Sequence, residues 1–88
     1  MSIRVSLIAK PDCHLCDVAE DIVDQVLAEL PESIADRIDV EHLSILDDAA
    51  LYEQWWEKIP VVLINDTLHA HWRLSADRLR TALEKAAQ

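Results

Sequence analysis

The chain contains no glycine, and only two of its 88 residues are cysteines. Without glycine, the hairpin signal Asn65-Asp66 lacks its favoured partner, which leaves the turn type open. Two cysteines exclude a disulfide-rich scaffold, and Cys-x-x-Cys closes too short a loop to stabilise much by itself. No apolar run approaches the ~20 residues of a membrane span. The opening Met1-Ser2-Ile3-Arg4-Val5 has one basic residue but no apolar core of a secretion signal, so the expected location is the cytoplasm.

Positive charge is also scarce. The formal net charge is −9, and residues 1–48 carry twelve acids against three bases, whereas residues 49–88 carry five of each. Such a surface gains no counterion release from nucleic acid and is repelled by anionic membranes, so neither is an expected partner. The acidity reads first as a solvated face, with steering of a basic partner protein as the alternative.

What is present builds a core. Hydrophobic residues make up 51% of the chain, and a domain of this size buries roughly 60–65% of its unfolded surface. One domain spanning 1–88 is expected, as a monomer. Arg4 to Ala9 reads as a buried strand. A helix follows with Leu15, Val18, Ala19, Ile22, Val23, Val26, Leu27 and Leu30 on one stripe, ending at Pro31.

Ile38 to His42 alternates as a half-exposed strand, and Asp47 or Asp48 can cap a short helix carrying Leu51, Tyr52, Trp55 and Trp56. Ile59-Pro60-Val61-Val62-Leu63-Ile64 reads as a strand with its proline at the start. Leu68 to Trp72 would return as the second arm of a hairpin. Ser75 is an expected N-cap, with Leu74 and Leu79 spaced for a hydrophobic staple. The order β-α-β-α-β-β-α gives a mixed α/β sheet with helices on both faces. Its first two strands are parallel by crossover and its last two antiparallel.

Cys13-His14-Leu15-Cys16 stands where the first strand gives way to the first helix. Two sulfurs three residues apart can bridge if the first caps the helix and the second lies in its first turn. Cys13 has the exposed position beside orphan N–H groups, which favour thiolate, and is the expected nucleophile. Cys16, more enclosed, is the expected resolving thiol. Asp12 opposes thiolate formation, while Lys10 or a protonated His14 would assist it.

Blander readings stand beside this one. The cysteines could be small buried hydrophobes, and His14 a solvent-facing cap residue. Cys-x-x-Cys is also a zinc spacing, and two of His42, His69 and His71 could complete a site, the last two sharing a strand face. Against metal, the apolar periodicity already supplies a core. For Pro60, position alone gives the trans default.

Lys10-Pro11-Asp12-Cys13-His14-Leu15-Cys16, taken with Ile59-Pro60-Val61-Val62 and Asn65-Asp66, resembles the glutaredoxin family of the thioredoxin fold. His14-Leu15 and His71-Trp72-Arg73 narrow the resemblance to small bacterial glutaredoxin-like proteins of poorly defined function. It spans nearly the whole chain. The resemblance implies a βαβαββα thioredoxin-like domain with a four-stranded sheet ordered 2-1-3-4 and a cis Pro60 facing Cys13. It also implies that the backbone around Ile59 pairs with bound peptide or glutathione, and assigns Cys13 and Cys16 as nucleophile and resolver.

Glutaredoxins usually carry Gly-Gly before the last helix, where the glutathione carboxylate is held. Here Arg73-Leu74-Ser75 stands instead. Arg73, Ser75 and the N–H groups of Ala76 and Asp77 could receive a carboxylate, but Asp77, Asp12, Asp17 and Asp47 disfavour an anionic tripeptide. Trp55, Trp56 and Trp72 read as core and rim packing rather than substrate platforms.

The expected function is thiol-disulfide exchange on protein or glutathione disulfides. Cys13 and Cys16 would be catalytic, and Lys10, His14, Ile59, Pro60, Arg73 and Ser75 would bind substrate. No cofactor or resident metal is expected; glutathione is a candidate co-substrate and a thiol reductant a candidate upstream partner. Two alternatives stay open: a protein-binding module that needs neither cysteine, and metal or iron-sulfur binding through the pair.

Overall fold

The first strand, β1 (Ile3–Ala9), has buried apolar side chains on both faces, because it is covered on both along most of its length, with Arg4 alone exposed. Ile3, Val5 and Leu7 point one way and Ile8 the other, and none of the four is more than 2% exposed. In the computed structural model, which describes residues 2–88, β1 lies inside a four-stranded sheet ordered β2-β1-β3-β4. β2 (Ile38–Ser44) runs parallel to it, from Ile3 opposite Ile38 to Ala9 opposite Ser44. β3 (Val61–Ile64) is antiparallel on its other side, and β4 (Thr67–His71) completes the sheet at β3's far edge. The sheet order is the one the glutaredoxin resemblance implies, and the strand directions are those expected from the order of elements.

The helices are α1 (His14–Glu29), α2 (Glu32–Ala35), α3 (Ala49–Trp55) and α4 (Ala76–Ala86). α2 was not expected; after Pro31 ends α1, its carbonyl accepts the N–H groups of Ile34 and Ala35 and starts a further turn. β1 begins one residue before the expected start and β2 continues to Ser44. Pro60 precedes β3 and Trp72 follows β4, so each lies outside the strand that the sequence pattern gave it to.

Two apolar cores flank the sheet. Ile3, Val5, Leu7 and Val62 pack with Ala19, Val23, Val26 and Leu30 and with Leu79 and Leu83, so α1 and α4 share one face. Ile8, Ile45 and Val61 collect Leu43, Leu51, Trp55, Ile59 and Leu63 on the other, beneath α3. Both caps are local. Of the two candidate aspartates, Asp48 caps α3, its Oδ1 accepting from the Ala50 and Leu51 N–H groups. Ser75 Oγ accepts from Arg78 N–H, and Leu79 lies in the first core with Leu74 packed against it.

The stripe on α1 divides. Cys16, Ala19, Val23 and Val26 are buried, whereas Leu15 and Val18 are 43% and 40% exposed. The expected stripe was wider than the face the sheet covers, and its outer edge meets an open groove instead.

Asn65 and Asp66 both take positive φ, 50° and 66°, as a two-residue type I′ turn requires. Asn65 fits without glycine because its N–H donates to the Arg4 carbonyl while its Oδ1 accepts Arg4 N–H. Asp66 pairs with the Arg4 guanidinium. Further along, the register shifts between Val62 and Leu63, leaving His69 unpaired as a bulge. His69 therefore lines a groove with Arg78, Thr81 and Lys85 of α4, where burial first and the charge of Arg78 second lower its pKa. His71 sits opposite Val61, on the α3 face. The two histidines do not share a face as expected, because the bulge breaks the alternation between them. Among the described residues, no helix is long and apolar enough to cross a membrane.

Leu79 is fully buried and Leu46 is 62% exposed. Leu79→Ala should lower unfolding free energy by about 2–5 kcal/mol, and Leu46→Ala by no more than about 0.5 kcal/mol, read from urea unfolding by circular dichroism.

Candidate active site

β1 ends at Ala9, and Asp12 turns the chain with φ of 59°, a conformation that aspartate tolerates better than most residues. Cys13 is then extended, as an N-cap must be, and its Sγ accepts the Cys16 N–H at 3.2 Å. The cysteines form a disulfide with their Cα atoms 5.2 Å apart. Cys16 is 3% exposed, whereas Cys13 is half-buried at the end of the helix. An incoming sulfur therefore has access to Cys13 in preference to Cys16. The first-turn N–H groups favour negative charge on a sulfur there, and Asp17 in the same turn opposes it.

Pro60 is buried, follows a cis peptide bond, and immediately precedes Val61. Val61 pairs with Ile8, so Pro60 lies beyond that pair, at the end of β1 from which the cysteine loop departs. Ile59 packs into the second core.

Trp72 secures this segment. Its backbone N–H donates to the carbonyls of Pro60 at 2.9 Å and Lys58 at 3.2 Å, and its indole Nε1–H to that of Glu57 at 2.7 Å. These bonds hold an aromatic residue at φ of 63°, a backbone region costly for bulky side chains. The indole remains 53% exposed. Trp55 joins the second core and Trp56, 51% exposed, stacks on Tyr52, so the tryptophans divide between core and rim.

Two grooves flank the first turns of α1. One is apolar, formed by Leu15, Val18 and Ile22 with Trp72, Arg73 and Leu74. The other, the polar groove, about 230 Å³, mixes ionisable side chains with the apolar Leu7, Ala9, Pro11 and Leu43. It is lined by Lys10, Asp17, Glu20, His42, Ser44 and Asp47, and reaches Cys16. Positions 15, 18 and 22 and positions 17 and 20 fall on opposite sides of a 3.6-residue helix, which separates the grooves.

Of the residues expected to bind substrate, Arg73 lines the apolar groove and Lys10 the polar one. His14 is exposed at the first position of α1, and the Ser75 hydroxyl caps α4. Sequence reasoning missed the exposed Leu15–Val18 edge, although eight apolar positions exceed what one sheet face can cover. It considered His42 only as a metal ligand. The parallel register, which places His42 beside Leu7, brings it to the polar groove.

Residues 4–84 match the glutaredoxin-like domain family (DUF836). The chain belongs to that family. No curated protein matches it. Among solved structures, this glutaredoxin-like chain is similar to protein XcR50 from X. campestris, at 30% identity and a TM-score of 0.71, over 92% of this chain and 96% of that one. Protein Ne2328 from Nitrosomonas europaea shares the fold at 15% identity, with a TM-score of 0.73 over 93% and 92% of the two chains. A mutant thioredoxin from Halobacterium salinarum does so at 15% identity and a TM-score of 0.69, over 99% and 76%. The glutaredoxin-like domain thus has the thioredoxin-like fold, with a cysteine pair at disulfide distance consistent with redox function.

Trp72→Phe keeps the ring but removes the donor to Glu57. The variant should be less stable by about 1 kcal/mol in urea unfolding followed by circular dichroism, the net worth of one such bond; an unchanged midpoint would show that the indole bond contributes nothing.

Proposed function

We propose that this protein is a thiol-disulfide oxidoreductase that acts on disulfides of protein segments through Cys13 and Cys16. The observation that carries the reading is the unequal pair: Cys13 accessible at the cap of α1, and Cys16 buried one turn behind it. In the reduced protein, Cys13 thiolate attacks a substrate disulfide and expels one substrate sulfur as thiolate. Cys16, as thiolate, then attacks Cys13 Sγ, breaks the mixed disulfide and releases the second substrate sulfur. The substrate gains two electrons, and the resulting Cys13–Cys16 disulfide is reduced again at the expense of an upstream thiol reductant.

The surroundings favour a protein segment over glutathione. Leu15, Val18 and Trp72 offer exposed apolar surface to side chains flanking a substrate cysteine. Asp12 and Asp17 flank the pair with negative charge, which disfavours an anionic tripeptide. Glutathione has its own support in Arg73 and the capped N-terminus of α4, which could take a carboxylate. In that reading glutathione is a co-substrate, and no bound cofactor enters either cycle.

Cys16→Ser protein, reduced and exposed separately to glutathione disulfide and to a disulfide-containing peptide with apolar flanking residues, should accumulate a peptide adduct on Cys13, read by intact mass. Cys13→Ser should abolish it. Absence of any adduct overturns the oxidoreductase reading, and an adduct with glutathione alone overturns the preference for protein segments.

A further inference from the structure

The release step asks something of Cys16 that its burial makes difficult. A thiol enclosed in apolar surroundings holds its proton, yet only the thiolate attacks. The proton needs an acceptor and a route. Cys16 is buried from bulk solvent on the core side by its place beside Ala19 on the inner face of α1, but it lines the polar groove at the carboxyl ends of β1 and β2.

That groove differs from a substrate cleft in one respect. A substrate sulfur must reach Cys13, and the groove is lined by Cys16 and not by Cys13. Its volume of about 230 Å³ has room for several water molecules, each occupying about 30 Å³ in the liquid. Its ionisable groups come from every element around it: Lys10 from the loop after β1, Asp17 and Glu20 from α1, His42 from β2 and Asp47 from the loop after β2.

We propose that this groove carries the proton away from Cys16 during release of the substrate, with His42 as the acceptor. The choice among the lining groups follows from their chemistry. A carboxylate is a weak base beside a thiol, Lys10 has no vacancy for a proton while charged, and imidazole changes charge nearest neutral pH. His42 Nε2 lies 3.9 Å from Glu20 Oε1, so an imidazolium formed there meets a carboxylate at once. Asp17 and Asp47 add to the same field. That field opposes a bare thiolate on Cys16 and favours the proton's transfer to His42 as the thiolate forms.

The step balances. The Cys16 proton passes through groove water to His42, the Cys16 sulfur bonds to Cys13 Sγ, and the bond from Cys13 to the substrate sulfur breaks with its electron pair leaving on the substrate. The imidazolium then returns its proton to solvent. The inference rests on the oxidoreductase reading, and the test separates the two. His42 and Glu20 side chains are 56% and 51% exposed, so replacing either leaves the cores intact.

Reduced protein is mixed with dithiodipyridine, a neutral disulfide whose thiopyridone product absorbs strongly and leaves without a proton donor. The first release reports attack by Cys13, and the second reports attack by Cys16. In His42→Gln the first phase should keep its rate within twofold. The second should slow by about 100-fold at neutral pH, the low end of what one general base contributes, and its pH profile should change. Free imidazole should restore the second phase in His42→Ala. A second phase with the same rate and pH profile in wild type and His42→Gln overturns the relay while leaving the oxidoreductase reading in place. Absence of the first phase in wild type overturns both.

Discussion

The site depends on β1 being enclosed. Its two faces are packed from Val5 to Ile8 and both its edges are hydrogen-bonded, to β2 and β3, so its carboxyl end is firmly held. From that point the chain turns through Asp12 and begins α1 with Cys13. β2 brings His42 and Ser44 to one side of the end, and the segment before β3 brings Pro60 to the other. Position, rather than any rare residue, gives the two cysteines unequal access. Identical side chains differ in exposure across one helical turn.

Absence of glycine is resolved differently at each place where the backbone needs a left-handed residue. Asp12, Asn65 and Asp66 meet it with the side chains best able to tolerate that region, and at the hairpin Arg4 adds compensating bonds. Trp72 is the exception. Its three hydrogen bonds to the carbonyls of residues 57, 58 and 60 hold the segment that leads into Pro60. The costly conformation therefore stands beside the site, where surrounding structure is dense enough to maintain it.

Much of this was legible in the sequence because it is local or periodic. The strand of Arg4 to Ala9, the amphipathic run after it, a cap at Asp47 or Asp48, the cap at Ser75 and the Asn65-Asp66 turn each follow from short-range chemistry. The resemblance to glutaredoxins supplied the sheet order and the cis Pro60, which local physics alone would have made trans. Features that depend on strands meeting were not legible. The bulge at His69 moves one histidine to the α4 side while His71 stays opposite Val61, and no spacing rule reveals it. Leu15 and Val18 look like core until the width of the sheet is known. His42 reads from sequence only as a half-exposed strand residue and candidate metal ligand until parallel register places it at the groove with Glu20 and Cys16.

The central claim is that Cys13 and Cys16 form a pair that exchanges two electrons reversibly within one chain. The most direct measurement equilibrates the protein across a series of dithiothreitol redox buffers, quenches with a thiol-alkylating reagent and weighs the intact chain. The account predicts one reversible transition between a doubly alkylated form and an unalkylated form, identical from the reduced and the oxidised side, with no accumulation of covalent dimers. A pair that stays in one state across the whole series, or that oxidises by linking separate chains, would contradict it.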